Sequence, residues 1–270
     1  MTAADWLAST SDDPFPLVVA GFPLAEHAIT PSRYDLAPAA VRRRLARLST
    51  FQGELGVDVA ALPVRDVGDT FEPPALDAPL TIVLGGHNGI THRTLAAAGA
   101  LESWGLLTLD AHHDVRPYEP DRVGNGSPVR ALVDAGLPGA NVVQVGIHGF
   151  SNAAEHRAWC EERGITIVGP TEVERVPDLL EDLAVRCERI YVDLDIDVLD
   201  RAFAPGCPGA RPGGLLPRQL FGAAFAAGAH PSVRCVDIVE VDPTADVSHI
   251  TVDAAALCLL HAAAGFAARS

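Results

Sequence analysis

Short apolar runs of strand length alternate along the chain with longer segments whose apolar residues recur every three or four positions. Residues 17–20, 57–67, 80–84, 106–109, 142–147, 166–168, 190–195 and 233–239 read as strands. Residues 37–48, a segment reaching Leu101, and residues 128–135, 155–163, 176–187, 217–227 and 253–268 read as helices. The first of these opens with Pro38, which suits a first helical turn. Residues 1–16, largely polar and closing with Pro14 and Pro16, are expected to form a short arm. Strands separated by helices, with no hairpin signal between them, predict a three-layer α/β/α fold with a mostly parallel central sheet. No linker, repeat or low-complexity tract divides the 270 residues, so a single domain is expected. In such sheets ligands bind beyond the carboxyl ends of the strands, where the polar clusters of this chain fall.

Two of the strands end in acids. Residues 106–114 run Leu-Leu-Thr-Leu-Asp-Ala-His-His-Asp, and residues 190–200 run Ile-Tyr-Val-Asp-Leu-Asp-Ile-Asp-Val-Leu-Asp. If each stays extended, alternation sends Asp110, His112 and Asp114 to one side, and Asp193, Asp195 and Asp197 to one face. Three like charges sheltered from water repel strongly, so something positive is expected among them. Imidazole and carboxylate donors without thiolates favour a borderline to hard divalent ion, manganese first, with zinc, iron and nickel open. The number of acids suggests two ions sharing bridging carboxylates. Solvated acids at strand ends are the plain alternative for either cluster alone, and a weaker one for both together. Residues 85–92, Gly-Gly-His-Asn-Gly-Ile-Thr-His, add His87, Asn88 and His92 as candidates, on a backbone whose glycines permit close approach.

Composition narrows the partners. With 48% hydrophobic and 20% charged residues the chain can bury a large core. Its formal charge of −15 disfavours nucleic acid and anionic membranes, both of which need a basic footprint. The first ten residues lack a basic stretch followed by an apolar one, and no uninterrupted apolar run is long enough to span a bilayer; a cytoplasmic location is expected. Five scattered cysteines without a CxxC pair read as reduced, structural thiols, with only Cys207 in a loop that could approach a site. The arginines of residues 37–48 are expected on a solvated helix face.

Gly85-Gly-x-x, Asp110-Ala-His112-x-Asp114, Asp195-x-Asp197-x-x-Asp200 and Glu240-x-Asp-Pro243 occur in the order and rough spacing of the ureohydrolases, the arginase and agmatinase superfamily. The chain resembles that family from Gly21 to its last helix. Within it, Asp114-Val-Arg-Pro117, Asn125-Gly-Ser-Pro128, the segment 146–152 and the segment 197–208 are most similar to the formimidoylglutamase branch. The resemblance implies hydrolysis of N-formimidoyl-L-glutamate to formamide and L-glutamate, in histidine degradation, by a water that two Mn(II) ions convert to hydroxide. It implies that Asp110 and Asp195 bridge the ions, that His112 and Asp197 complete one site, and that Asp114 belongs to the other. Asn88 takes the place of a metal-binding histidine. Glu240 would hold the amidine, and Asp114 would carry a proton to the departing amine.

Asn125 stands where arginases and agmatinases have a proton-transferring histidine, and Ser151 where arginases hold an α-amino group with an acid. Both turn the expectation away from arginine and agmatine. A substrate with two carboxylates needs cations or hydroxyl donors; Arg116 is the first candidate, before Arg130 and His148, with Ser127 and Ser151 beside it. The alternatives are a guanidino substrate releasing urea, and a non-catalytic metal-binding relative suggested by Asn88 and Asn125. The resemblance also implies a homo-oligomer, trimer or hexamer.

Overall fold

The computed structural model describes residues 1–9 and 17–269. Ten strands form: β1 Leu17–Phe22, β2 Phe51–Gln52, β3 Val57–Asp58, β4 Val64–Asp69, β5 Leu80–Gly85, β6 Trp104–Leu109, β7 Val142–Val145, β8 Thr166–Val168, β9 Arg189–Asp195 and β10 Val233–Val239. The helices are α1 Ala3–Ala8, α2 Ala37–Leu45, α3 Gly89–Ala97, α4 Pro128–Asp134, α5 Ala154–Glu162, α6 Val176–Ala184, α7 Pro217–Ala229 and α8 Ile250–Ala267. Eight strands make one sheet in the order β4-β1-β5-β10-β9-β6-β7-β8, with every pair parallel. One apolar cluster lies under α1, α2, α6, α7 and α8, and a second, on the other face, under α3, α4 and α5. The fold is therefore the expected three-layer α/β/α sandwich. Strands β5 and β6 are buried along their whole length, which is why they read as unbroken apolar runs, whereas edge strand β4 has one buried residue and then alternates exposed and half-buried ones.

Strand order is what builds the site. The chain runs out to the β4 edge, returns to β5, leaps to β6, continues to the β8 edge, and comes back to fill the gap with β9 and β10. The carboxyl ends of β5, β10, β9 and β6 thus stand side by side at a topological switch point, where such sheets bind ligands.

Three sequence expectations change. Residues 3–8 are a helix rather than an arm: Thr2 and Asp5 cap it reciprocally, and the fully buried Trp6 donates its indole N–H to the Leu62 carbonyl at 2.9 Å. Residues 10–16 of that expected arm lie outside the described residues. Residues 57–67 are not one strand; β2 and β3 form a small antiparallel hairpin, and β4 starts only after a 3-10 turn at Val59–Ala61. Of the α2 arginines Arg43 is exposed as expected, but Arg42 and Arg44 are not simply solvated. Arg42 bridges to Asp66 and Asp69 on β4, and Arg44 to Asp253 on α8, each arginine side chain only 20% exposed.

Helix α8 is, by length and composition, apolar enough to cross a membrane, with mean hydropathy 1.7 over 18 residues, and 67% of it is buried in this fold. It packs on α7, where Gly228 and Gly265 let the two backbones meet: a Cβ at Gly228 would strike the backbone of Ala262, and one at Gly265 that of Phe225. Gly228→Val is therefore expected to destabilise the fold by about 1–3 kcal/mol through overpacking, lowering Tm by roughly 5 °C in a thermal melt. An unchanged Tm would mean that the helices part without cost.

Candidate metal centre

Strand β6 stops at Leu109, one residue short of its acids. Asp110 still pairs its N–H with the Val145 carbonyl at 3.0 Å, but the chain then turns, and the His112 N–H folds back onto Asp110 Oδ1 at 2.6 Å. Asp114 reaches the site through a left-handed backbone, φ 51°, rather than by strand alternation. Such a conformation in a non-glycine residue stores strain that the surrounding structure must hold. The second cluster turns in the same way. Asp195 Oδ1 accepts the Asp197 N–H at 2.8 Å and closes a 3-10 turn at Ile196–Val198, which swings Asp197 toward β6. Asp197 Oδ1 accepts the Ala111 N–H at 3.0 Å, and its Oδ2 lies 2.7 Å from His112 Nδ1, with Asp110 Oδ1 3.5 Å from the same nitrogen.

Asp193 does not join this group. It lies one level deeper on β9, in register with Asp237 of β10, so the expectation of three acids on one working face is corrected to two. Burial and the neighbouring Asp237 push the Asp193 carboxyl well up.

Asn88 and Glu240 close the other side. The backbone at Gly86 passes so near Leu24 that no Cβ fits, and this brings Asn88 to the head of β5 with its N–H on Glu240 Oε1 at 2.8 Å. Glu240 is itself held in a left-handed conformation, φ 68°, and accepts a second bond from Asn125 Nδ2 at 2.9 Å. The Asn88 amide is turned with Nδ2 toward Asp114, Asp110 and Asp195, at 2.9, 3.3 and 3.4 Å, while Oδ1 accepts from Thr91 at 2.8 Å. Asn88 is thereby placed among the acids, in the position that the resemblance gives to a metal-binding residue. A carboxylate cluster recruits whatever positive end is nearest, and here that is the amide hydrogens.

His87 is spent elsewhere. Fully buried, it donates from Nε2 to the Glu26 carbonyl at 2.7 Å and accepts the Gly89 N–H at Nδ1, 2.9 Å, and burial pushes its pKa down to about 4. His92, on α3, does not line the cleft. Cys207 is buried, and burial followed by the nearby Asp197 and Glu240 pushes its thiol well up, which leaves it inert.

The electrostatics call for a cation. Asp110, Asp114, Asp195, Asp197 and Glu240 are all buried. Burial, reinforced by neighbouring acids, pushes Asp110 and Glu240 up to about 7 and Asp114 and Asp195 well up. Burial works to lower the His112 imidazole, but Asp197 and Asp110 outweigh it and push it up to about 12. Burial likewise works to raise Asp197, and His112 holds it below the ordinary range. One imidazolium cannot balance five buried carboxyls. Asp110, His112 and Asp197 each offer a ligand atom within 4.8 Å of the others, in a donor set that suits a divalent ion of manganese type.

A cleft of about 130 Å³ opens over these residues. Asp114, Asp195, Asp197, Glu240, Arg116 and Ser151 line it as the sequence reading expected. Ser127 does not; it is buried at the start of α4, and lines a shallower neighbouring pocket. Arg130 is also elsewhere, paired with Asp134 at 3.7 Å and stacked on Trp159, and His148 is turned to the Pro212 carbonyl at 2.9 Å. The sequence reading missed Tyr34, His156 and Arg211, which line the same cleft. None carries a motif; only the packing of three distant segments, a 3-10 turn at Tyr34, helix α5 at His156 and the loop at Arg211, brings them there.

Known proteins share this architecture. Residues 15–265 match the sequence profile of the arginase family. The formimidoylglutamase of Halalkalibacterium halodurans is 34% identical over 268 residues, covering 89% of this chain and 84% of its own. The crystal structure of the Bacillus subtilis formimidoylglutamase matches with a TM-score of 0.90 at 30% identity, covering 99% of this chain and 92% of that one. That of the Trypanosoma cruzi formiminoglutamase with Mn2+ matches with a TM-score of 0.86 at 25% identity, covering 100% and 99%. With buried acids at the ends of β6, β9 and β10, Asn88 at the end of β5 beside them, and a profile match that runs through all four, this chain belongs to the arginase family.

Proposed function

We propose that the chain is a hydrolase that cleaves N-formimidoyl-L-glutamate to formamide and L-glutamate. The observation that carries this reading is the cleft itself: buried acids form its floor and Arg116 stands on its wall. That polarity fits a molecule with an amidinium at one end and carboxylates at the other. Likeness to formimidoylglutamases over most of both chains supports the same choice.

Asp110, His112, Asp195 and Asp197 would hold one divalent ion, and Asn88, Asp110, Asp114 and Asp195 a second, manganese being the ion named with the trypanosomal relative. Bound there, the pair would supply Lewis-acid activation of the attacking water at neutral pH. Everything else falls to the chain's own groups. Glu240, fixed by Asn88 N–H and the Asn125 amide, pairs with the amidinium and orients its carbon. Asp114, buried and raised, takes a proton at its carboxylate and returns it to the departing glutamate nitrogen. Arg116 meets a substrate carboxylate with its planar fork, and Ser151 Oγ offers a hydroxyl beside it.

The test is product analysis. Manganese-loaded protein is offered formimidoylglutamate, guanidinobutyrate, agmatine and arginine in parallel, with formamide and urea both assayed. Formamide and glutamate from the first substrate, and no urea, is the expected result. Urea from a guanidino compound would move the assignment to that substrate class, and absence of any product would identify a non-catalytic relative.

A further inference from the structure

Arg211 has no part in the reading above, yet it is one of only two arginines that line the cleft. It lies in the loop after β9, two residues beyond Gly209, whose backbone abuts Asp197 so closely that a Cβ there would meet Asp197 Cβ and Cγ at 3.0 Å. The loop is anchored: the Arg211 carbonyl accepts the Arg201 N–H at 3.1 Å, and Asp200 Oδ2 accepts the Gly213 N–H at 2.7 Å. Arg211 Nη1 donates to the carbonyls of Pro208, Gly209 and Ala210 at 3.0, 2.9 and 2.9 Å. One nitrogen is thereby tied to the loop, and among the described residues the guanidinium has no carboxylate partner. Arg116 enters from a different loop, the one after β6. Its side chain packs on Gly126, its N–H bonds to the Gly126 carbonyl at 2.9 Å, and it too has no carboxylate partner among the described residues.

Neither guanidinium folds onto the buried acids of the floor, and neither has a carboxylate partner among the described residues. Both are instead held at the mouth of the cleft, where an anion arriving from solvent can reach them. We infer that Arg211 is a specificity-determining residue, and that it and Arg116 form a two-point clamp, each guanidinium taking one carboxylate of a dicarboxylate substrate. This rests on the proposed substrate. A decarboxylated amidine engages neither arginine, and a monocarboxylate leaves one of them empty, so the clamp selects for two carboxylates rather than for negative charge in general.

Substrate truncation tests the clamp. Steady-state kinetics are measured with formimidoylglutamate and with two probes that each lack one carboxylate, N-formimidoyl-4-aminobutyrate and N-formimidoyl-2-aminobutyrate. Arg116→Ala, Arg211→Ala and Arg211→Lys are compared with the parent protein, at matched metal content. Each alanine variant is expected to raise KM for the dicarboxylate about 100-fold while kcat falls less than about threefold. Each is also expected to lose that effect on one probe, a different one for each arginine. Arg211→Lys, which keeps the charge without the planar fork, is expected to fall between. If Arg211→Ala lowers kcat on all three compounds alike, the residue only supports its loop and the clamp is wrong. If the parent protein releases formamide and Arg211→Ala leaves KM unchanged, the clamp alone fails. If the parent protein releases none from formimidoylglutamate, the substrate reading fails and the clamp with it.

Discussion

Asp195→Ala is expected to lower kcat/KM for formimidoylglutamate by at least about 10³-fold and to reduce the bound metal below that of the parent protein, read by turnover and by metal analysis of the same sample. The size of the effect follows from position. Asp195 is at the end of β9, where its cluster meets that of β6, with Oδ1 on the Asp197 N–H and Oδ2 facing the Asn88 amide beside Asp110 and Asp114. Removing it takes a donor from both proposed ion positions and frees the turn that aims Asp197. Its neighbour on the strand makes the contrast. Asp193→Asn alters a carboxyl one level down, in register with Asp237 and away from the cleft, and is expected to change kcat/KM less than about threefold. A large loss of metal from Asp193→Asn would restore that residue to the site; a fully active Asp195→Ala would remove the proposed centre.

A second large effect is expected in stability. Manganese is expected to raise Tm by roughly 10 °C or more at pH 8 and by much less at pH 5.5. Asp110 and Glu240 are pushed up to about 7, and Asp114 and Asp195 well up, from the ordinary carboxylate range. A group whose pKa is raised by folding contributes fully below its unfolded pKa, and that contribution is lost as pH rises through the folded value. Metal-free protein therefore loses the benefit of protonated site carboxyls between about pH 5 and 8. His112, pushed up to about 12, acts with the same sign from its unfolded pKa upward, while Asp197, held low, is constant across this window.

Other groups oppose that trend. His87, lowered to about 4, and His92, His113, His230 and His261, all lowered chiefly by burial, cost stability on acidification. They are the same with and without the ion, so the metal-induced shift in Tm is the quantity that isolates the site. A divalent ion needs deprotonated ligands, which are present at pH 8 and must be stripped of protons at pH 5.5. An equal manganese shift at both pH values would mean that the buried acids are not its ligands.

How much of this was legible in the sequence depends on the kind of order each residue obeys. Asp110, His112, Asp195 and Asp197 were found because apolar strand residues run directly into them, and a buried strand-end acid has few bland uses. The period-two rule that grouped them was only partly right. It assumes an extended backbone, and the chain turns at Ala111 and again at Ile196, so Asp197 is delivered by a 3-10 turn while Asp193 is left behind in the core. Ser127 was chosen by its neighbours in the chain and is instead buried at the start of α4, whereas Arg211, with no motif of its own, lines the cleft. The surroundings of Asn88 were also beyond reach, since the acids its amide meets come from two other strand ends.

The sequence by itself determined the strands and helices, the three-layer class and the acid clusters with their need for a cation. Apolar periodicity and like-charge repulsion are local, and both can be read along one dimension. The tertiary structure alone decided which strand ends are neighbours, through the leap from β5 to β6 that leaves room for β10 and β9 between them. It also decided which loops wall the cleft and which acids the amide of Asn88 meets. Those outcomes are set by contacts between residues distant in the chain, where packing and hydrogen-bond satisfaction, rather than spacing, choose the partner.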